Sequence, residues 1–115
     1  VVMSIIRQLA TRQLDAYNAS DLDAFVACFH PDVRLFVGED EVCRGNAAFR
    51  EHYRRLFEDF TFGGQVPTRI DAGDHCVDLE HWWRINDKTG DRDEGTALVH
   101  YQVQDELIGL VRLMR

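Results

Sequence analysis

Apolar side chains recur at helical spacing in three stretches of the N-terminal half, and at alternate positions through most of the rest. In the first stretch Ile5, Ile6, Leu9, Gln13, Ala16 and Tyr17 share one face, with Arg7, Arg12 and Asp15 left for solvent. Ser4 is placed to cap this helix, which should stop near Asn18. A short second helix, capped by Ser20 or Asp21 and ended by Pro31, carries Leu22, Phe25, Val26 and Phe29 at i, i+3, i+4 and i+7. A third, with Asn46 as its N-cap and Gly63-Gly64 as its stop, sets Phe49, Tyr53, Leu56, Phe57 and Phe60 opposite Arg50, Arg54, Glu58 and Asp59. Between the second and third helices Val33, Leu35 and Val37 alternate as a strand. An acidic turn at Gly38–Glu41 and a brief strand at Val42–Arg44 follow. Four longer strands are predicted beyond the helices, at Val66–Ala72, Cys76–Asn86, Glu94–Val103 and Leu107–Met114, joined by turns at Gly73-Asp74, Thr89-Gly90-Asp91 and Gln104–Glu106. Three helices and an antiparallel meander make an α+β fold, with the helices packed on one face of a twisted sheet.

A length of 115 residues allows one domain, expected to span 1–115. Thirteen Lys and Arg against 20 Asp and Glu leave a net charge of −7, the wrong sign for neutralising phosphates or sitting on anionic lipid, so neither nucleic acid nor a membrane is an expected partner. The uncharged stretch Thr61–Thr68 is too short and too polar to span a bilayer, and Arg7 interrupts any apolar leader at the N-terminus. The three cysteines, Cys28, Cys43 and Cys76, are odd in number and lack CxxC spacing, which fits a reducing cytoplasm better than a disulfide framework or a zinc knuckle.

The segments "AYNASDLDAFVACFHPDVRL" and "RGNAAFREHYRRLF", with "TRIDAGDHCVDLEHWWR" and "ALVHYQVQDELIGLVRL" in the C-terminal half, resemble the nuclear transport factor 2-like superfamily, especially its SnoaL-like and ketosteroid-isomerase-like members. The resemblance covers nearly the whole chain. It implies a cone-shaped, strongly curved sheet wrapped around the helices, with a pocket open at one end and an outer sheet face often used to dimerise. Members include isomerases, polyketide cyclases, dehydratases, epoxide hydrolases and modules without catalysis, so residues must decide the chemistry. Laid along this chain, the isomerase's tyrosine falls on Gln13, its base on Val37 and its oxyanion aspartate on Val99. With those three groups replaced, neither the base nor the usual donors to a dienolate are in place, and the standard ketosteroid isomerase reaction is not expected.

Alternation along the strands indicates what faces the cone. If Val99 points inward, so do Ala97, Tyr101 and Val103. A two-residue turn at Gly90-Asp91 then sets Trp82 opposite Val99, Glu80 opposite Tyr101 and Asp78 opposite Val103, while a turn at Asp105-Glu106 brings Arg112 opposite Val99 and Leu110 opposite Tyr101. The interior would hold Asp78, Glu80, Trp82, Tyr101 and Arg112, framed by Tyr17, Val33, Leu35, Val37 and Tyr53. Burial raises a carboxyl pKa and a nearby guanidinium lowers it, so two carboxylates in an apolar cone could serve as base and acid. The candidate catalytic pair is Asp78 and Glu80, acting without a cofactor on a small apolar or aromatic ligand. Tyr53 or Tyr101 would bond a ligand oxygen, and Arg112 would hold negative charge. The competing reading makes Arg112 and one carboxylate an inert buried ion pair in a module that only binds or dimerises.

The opposite face of the sheet would carry Leu79, His81, Trp83, Ile85, Leu98, His100 and Gln102, enough apolar area to suggest a homodimer. In the same register His81 and His100 would stand opposite each other. Two imidazoles could share a divalent ion, but the pattern places no third ligand and no metal is expected. His30, His52 and His75 are expected in solvent, as is the arginine run Arg50, Arg54 and Arg55. Cys76 shares the inward parity of Asp78.

Overall fold

The computed structural model describes residues 3–114, in the element order α1 Ile5–Asn18, α2 Leu22–Val26, β1 Phe29–Val37, β2 Asp40–Arg44, α3 Asn46–Asp59, β3 Phe60–Ala72, β4 His75–Asn86, β5 Arg92–Gln104 and β6 Leu107–Met114. The Ser4 hydroxyl accepts from the Arg7 amide at the start of α1, and the Asp21 carboxylate accepts from the Ala24 amide at the start of α2. At α3 the expected cap is replaced. Gly45 takes the N-cap position with φ +89°, a conformation only glycine adopts cheaply, while Asn46 enters the helix and donates its side-chain amide to the Phe29 carbonyl. Two boundaries also move. Pro31 lies within β1 rather than ending α2, and α3 passes into β3 at Phe60, so that Gly63 and Gly64 are buried strand residues instead of a helix stop.

The six strands form one curved, open sheet in the order β2-β1-β6-β5-β4-β3; β1 runs parallel to β6 and every other pairing is antiparallel. The helices cover its concave face. Ile6, Leu9 and Ala10 of α1, Phe25 of α2 and Phe49 of α3 are buried there against Val33, Leu35, Val99, Ile108 and Val111 of the sheet. No helix of the described residues is long and apolar enough to cross a membrane.

Three registers fix what the concave face presents. The β4–β5 turn sits two residues earlier than Gly90-Asp91, so Asp78 pairs with Val99, Glu80 with Ala97 and Trp82 with Gly95. The pairing moves by an even number, and every inward side chain stays inward. The β5–β6 turn at Asp105-Glu106 is as expected, with Gln104 opposite Leu107. Beyond it the register slips by one residue, because Val103 faces Ile108 while Gln102 faces Leu110 and Gly109 is left over. A Cβ on Gly109 would lie 2.4 Å from that of Gln104, so only glycine fits this bulge. A second slip occurs on edge strand β3 between Gln65 and Thr68, at Val66-Pro67, where the proline withholds no ladder hydrogen from a central strand.

Candidate active site

Between the concave sheet face and the helices lies a cavity of about 690 Å³. Its walls include the expected pocket residues Tyr17, Val37, Tyr53, Trp82, Val99 and Tyr101, and the expected acid Glu80. The space around Glu80 comes from small neighbours. A Cβ on Gly64 would stand 3.1 Å from Glu80 Oε2, one on Gly95 would stand 2.8 Å from the Trp82 ring, and Ala97 faces Glu80 directly across the ladder. Gly64 is held by Asn18 at the end of α1, whose side-chain amide donates to the Gly64 carbonyl at 3.0 Å and accepts its N–H at 2.8 Å. One short polar side chain thus ties α1 to the strand that makes room for the carboxyl.

Two sequence expectations are corrected here. Arg112 is not a pocket residue: the Gly109 bulge turns it to the convex face opposite His100, where its guanidinium lies 4.3 Å from the Phe36 ring centre and donates to the Gly38 carbonyl. Val111 and Leu113 take the inward positions instead. Asp78 points inward but is sealed. Its side chain is 1% exposed and is gripped by Arg69, Nε to Oδ1 at 2.6 Å and Nη2 to Oδ2 at 2.9 Å, with Arg69 Nη1 on the Thr11 hydroxyl at 2.7 Å. The buried ion pair therefore exists, with Arg69 rather than Arg112 as the cation. The β3 bulge makes it, since continuing the Gln65–His81 register would place Thr68 opposite Asp78 and turn Arg69 outward.

Glu80 has no hydrogen-bond or ion-pair partner among the described residues. Loss of water, with the negative charge of Asp78 as the second cause, pushes its pKa up to about 7. Three tyrosines share its surroundings. Burial raises all three phenol pKa values, and the Glu80 charge adds to the effect at Tyr17, Tyr53 and Tyr101, so each is a neutral hydroxyl at physiological pH. The orientation of Tyr101 follows from Gln13. The Gln13 amide nitrogen donates to the Ala10 carbonyl at 3.0 Å, which fixes the amide, and also to the Tyr101 hydroxyl oxygen at 3.2 Å. Tyr101 accepts there, which leaves its own O–H to be donated into the cavity.

Cys76 is buried beside Asp78, its thiol 3.5 Å from Oδ1. Burial and the Asp78 charge push it up to about 12, which makes it a poor nucleophile. On the convex face His81 meets Thr96 at 3.0 Å, and His100 bonds His75 at 2.9 Å, so the expected His81–His100 pair does not form. No three His, Cys, Asp or Glu of the described residues gather as a metal-binding set. His30 is also not a solvated side chain; it bridges to Asp105 at 3.2 Å and accepts from the Asp32 amide.

Four polar lining residues escaped the sequence reading: Gln13 as a donor, and His52, Arg55 and Arg84 where the cavity meets solvent. Arg84 was legible, since it continues the parity of Asp78, Glu80 and Trp82. Arg55 was not, because helical periodicity alone puts it among solvated charges.

The sequence matches the SnoaL-like domain family over residues 10–110. Solved structures share the fold. An uncharacterised cystatin-fold protein from Novosphingobium aromaticivorans aligns with a TM-score of 0.85 at 20% identity, over 99% of this chain and 100% of that one. An epoxide hydrolase of Mycobacterium tuberculosis aligns at 0.83 and 19% identity, over 96% and 81%. A further M. tuberculosis protein, solved in complex with estradiol-17β-hemisuccinate, aligns at 0.86 and 15% identity, over 96% and 93%. At such identities the likeness speaks for fold alone. No curated protein matches the sequence.

Proposed function

The chain belongs to the SnoaL-like domain family of the nuclear transport factor 2-like superfamily, and from that premise we propose that it binds a small, largely apolar molecule in the cavity and moves a proton on it with Glu80, without a cofactor. The observation that carries this reading is an unpaired carboxyl in an apolar wall, poised near neutral pH. Ionised Glu80 takes a proton from a carbon beside a ligand carbonyl. The Tyr101 O–H, freed by Gln13, donates to the carbonyl oxygen as charge builds on it, with Tyr53 as the second donor. Protonated Glu80 then returns the proton to the same carbon or to a conjugated one, which is the chemistry of an isomerase and the first half of a cyclisation or dehydration. Asp78 acts through its charge, keeping Glu80 basic, and not by touching the ligand.

Hydrogen–deuterium exchange at the α-carbon of a cyclic aryl ketone such as 2-tetralone, followed by NMR, tests this directly. The protein should speed exchange with a midpoint near pH 7, and Glu80→Gln should slow it by about 10²-fold or more. Equal exchange with both proteins would remove the catalytic role. Binding without catalysis is the second reading. It is favoured by the cavity walls at Gln13, Val37 and Val99, where an amide and two apolar groups stand in place of the isomerase set.

A second copy of the chain is proposed to cover the convex face, where Leu79 and Leu98 pair across β4–β5 beside Met114 and Leu98 remains 45% exposed. The free thiols of Cys28, Cys43 and Cys76 suit a reducing, cytoplasmic setting.

A further inference from the structure

We infer that the cavity selects ligands with an anionic end, the apolar body lying along β4 toward Glu80 and the anion held at the mouth by Arg55 and Arg84. This rests on reading the cavity as a ligand site. The inward residues of β4 run from acid to base: Asp78 is sealed, Glu80 is half-buried, Trp82 forms a wall and Arg84 is exposed. Four residues of extended chain separate the Glu80 and Arg84 backbones by roughly 13 Å, about the length of two or three fused rings. Tyr17 lines the same cavity, and its hydroxyl feels both charges, Glu80 raising its pKa and Arg84 lowering it.

The mouth is basic in a chain whose net charge is −7. Among the lining residues Glu80 is the sole acid, against Arg55, Arg84 and the His52 imidazole. The other arginines of α3 are occupied, Arg50 by Asp23 and Arg54 by Glu51 and Glu58. Arg55 has no acidic partner among the described residues. Arg84 gives one N–H to Asp93 at 3.2 Å, and its guanidinium lies 5.6 Å from the ring centres of both Phe60 and Trp82, which line the cavity. Four of its five donors are left for a ligand. Guanidinium forks beside aromatic walls suit a carboxylate, sulfonate or phosphate on a flat apolar body.

Two fluorescent probes that differ by one charged group test the inference: 8-anilinonaphthalene-1-sulfonate and the neutral N-phenyl-1-naphthylamine. On apolar burial alone the neutral probe binds more tightly, because the sulfonate loses water. The expected result is the reverse, with the sulfonate about fivefold tighter or more and weakened by salt. Arg55→Gln and Arg84→Gln should each loosen the sulfonate severalfold and leave the neutral probe unchanged. Arg54→Gln, which alters net charge equally but lies off the cavity, should change neither. Neutral binding as tight as or tighter than that of the sulfonate overturns the anionic preference and leaves the pocket intact, as does an Arg54→Gln effect equal to the Arg55→Gln effect. Binding of neither probe overturns the pocket reading itself.

Discussion

Replacing Glu80 with glutamine keeps the shape of the side chain and removes its charge, so the cost of holding an ionised carboxyl in the cavity wall becomes measurable. The carboxyl titrates near 7 in the folded protein against 4.5 ordinarily, because the fold takes away its water and sets Asp78 nearby. A raised carboxyl pKa means that the folded state binds its proton more tightly than the unfolded chain. Its contribution to stability is therefore whole below pH 4.5 and is lost as pH rises through 7. At about 1.4 kcal/mol per pH unit between the two titrations, the loss reaches about 3 kcal/mol by pH 8 and is only about 1 kcal/mol at pH 5. Glu80→Gln escapes it. Urea unfolding of both proteins across this range should show the variant gaining on the wild type by about 2 kcal/mol between pH 5 and pH 8, equivalent at about 4 °C per kcal/mol to a relative rise of about 8 °C in Tm. The other titrating groups are common to both proteins, and the three tyrosines coupled to Glu80 stay neutral across this range, so the difference reports the Glu80 carboxyl. A gap independent of pH would refute the reasoning, since it would mean that Glu80 titrates alike in the folded and unfolded states.

The Arg69–Asp78 pair should behave oppositely: Asp78→Asn or Arg69→Met alone leaves a buried charge without its partner and should cost about 3–5 kcal/mol in urea unfolding, while the double apolar replacement recovers much of it. A small cost for the single changes would show that water reaches the pair. On the convex face Leu98→Asp should convert a sedimenting dimer to monomer while leaving probe binding in the cavity unaltered; a wild-type monomer at micromolar concentration would remove the proposed interface.

How much was legible without coordinates follows from the range of each interaction. The Ser4 cap, a cap for α2 at Ser20 or Asp21, the spacing of Phe49, Tyr53 and Leu56, and the Gly73-Asp74 turn are set within a few residues, and residue type and periodicity carry them; the structure takes Asp21 of the two. Inward parity on β4 also survived, because the turn before β5 moved the pairing by an even number of residues. That is why Glu80, Trp82, Val99 and Tyr101 were recognised as cavity residues although their cross-strand partners were misplaced.

The two corrected cavity residues, Arg112 and Asp78, each depend on a one-residue bulge. Alternation has a period of two, so one extra residue inverts everything beyond it. Gly109 turns Arg112 out and Val111 in, and Val66-Pro67 turns Arg69 in to close over Asp78. Neither bulge leaves a local sign strong enough to fix a register. Glycine and proline in a strand permit the slip, but it occurs only where two strands, a helix and a curved sheet must all pack at once. Local sequence thus determined the elements, the Ser4 cap of α1 and the face on which an acid stands. Tertiary packing decided which of two acids is gripped by a distant arginine and which is left bare in the cavity, because a carboxylate's partner is set by distance in space and not by spacing in the chain.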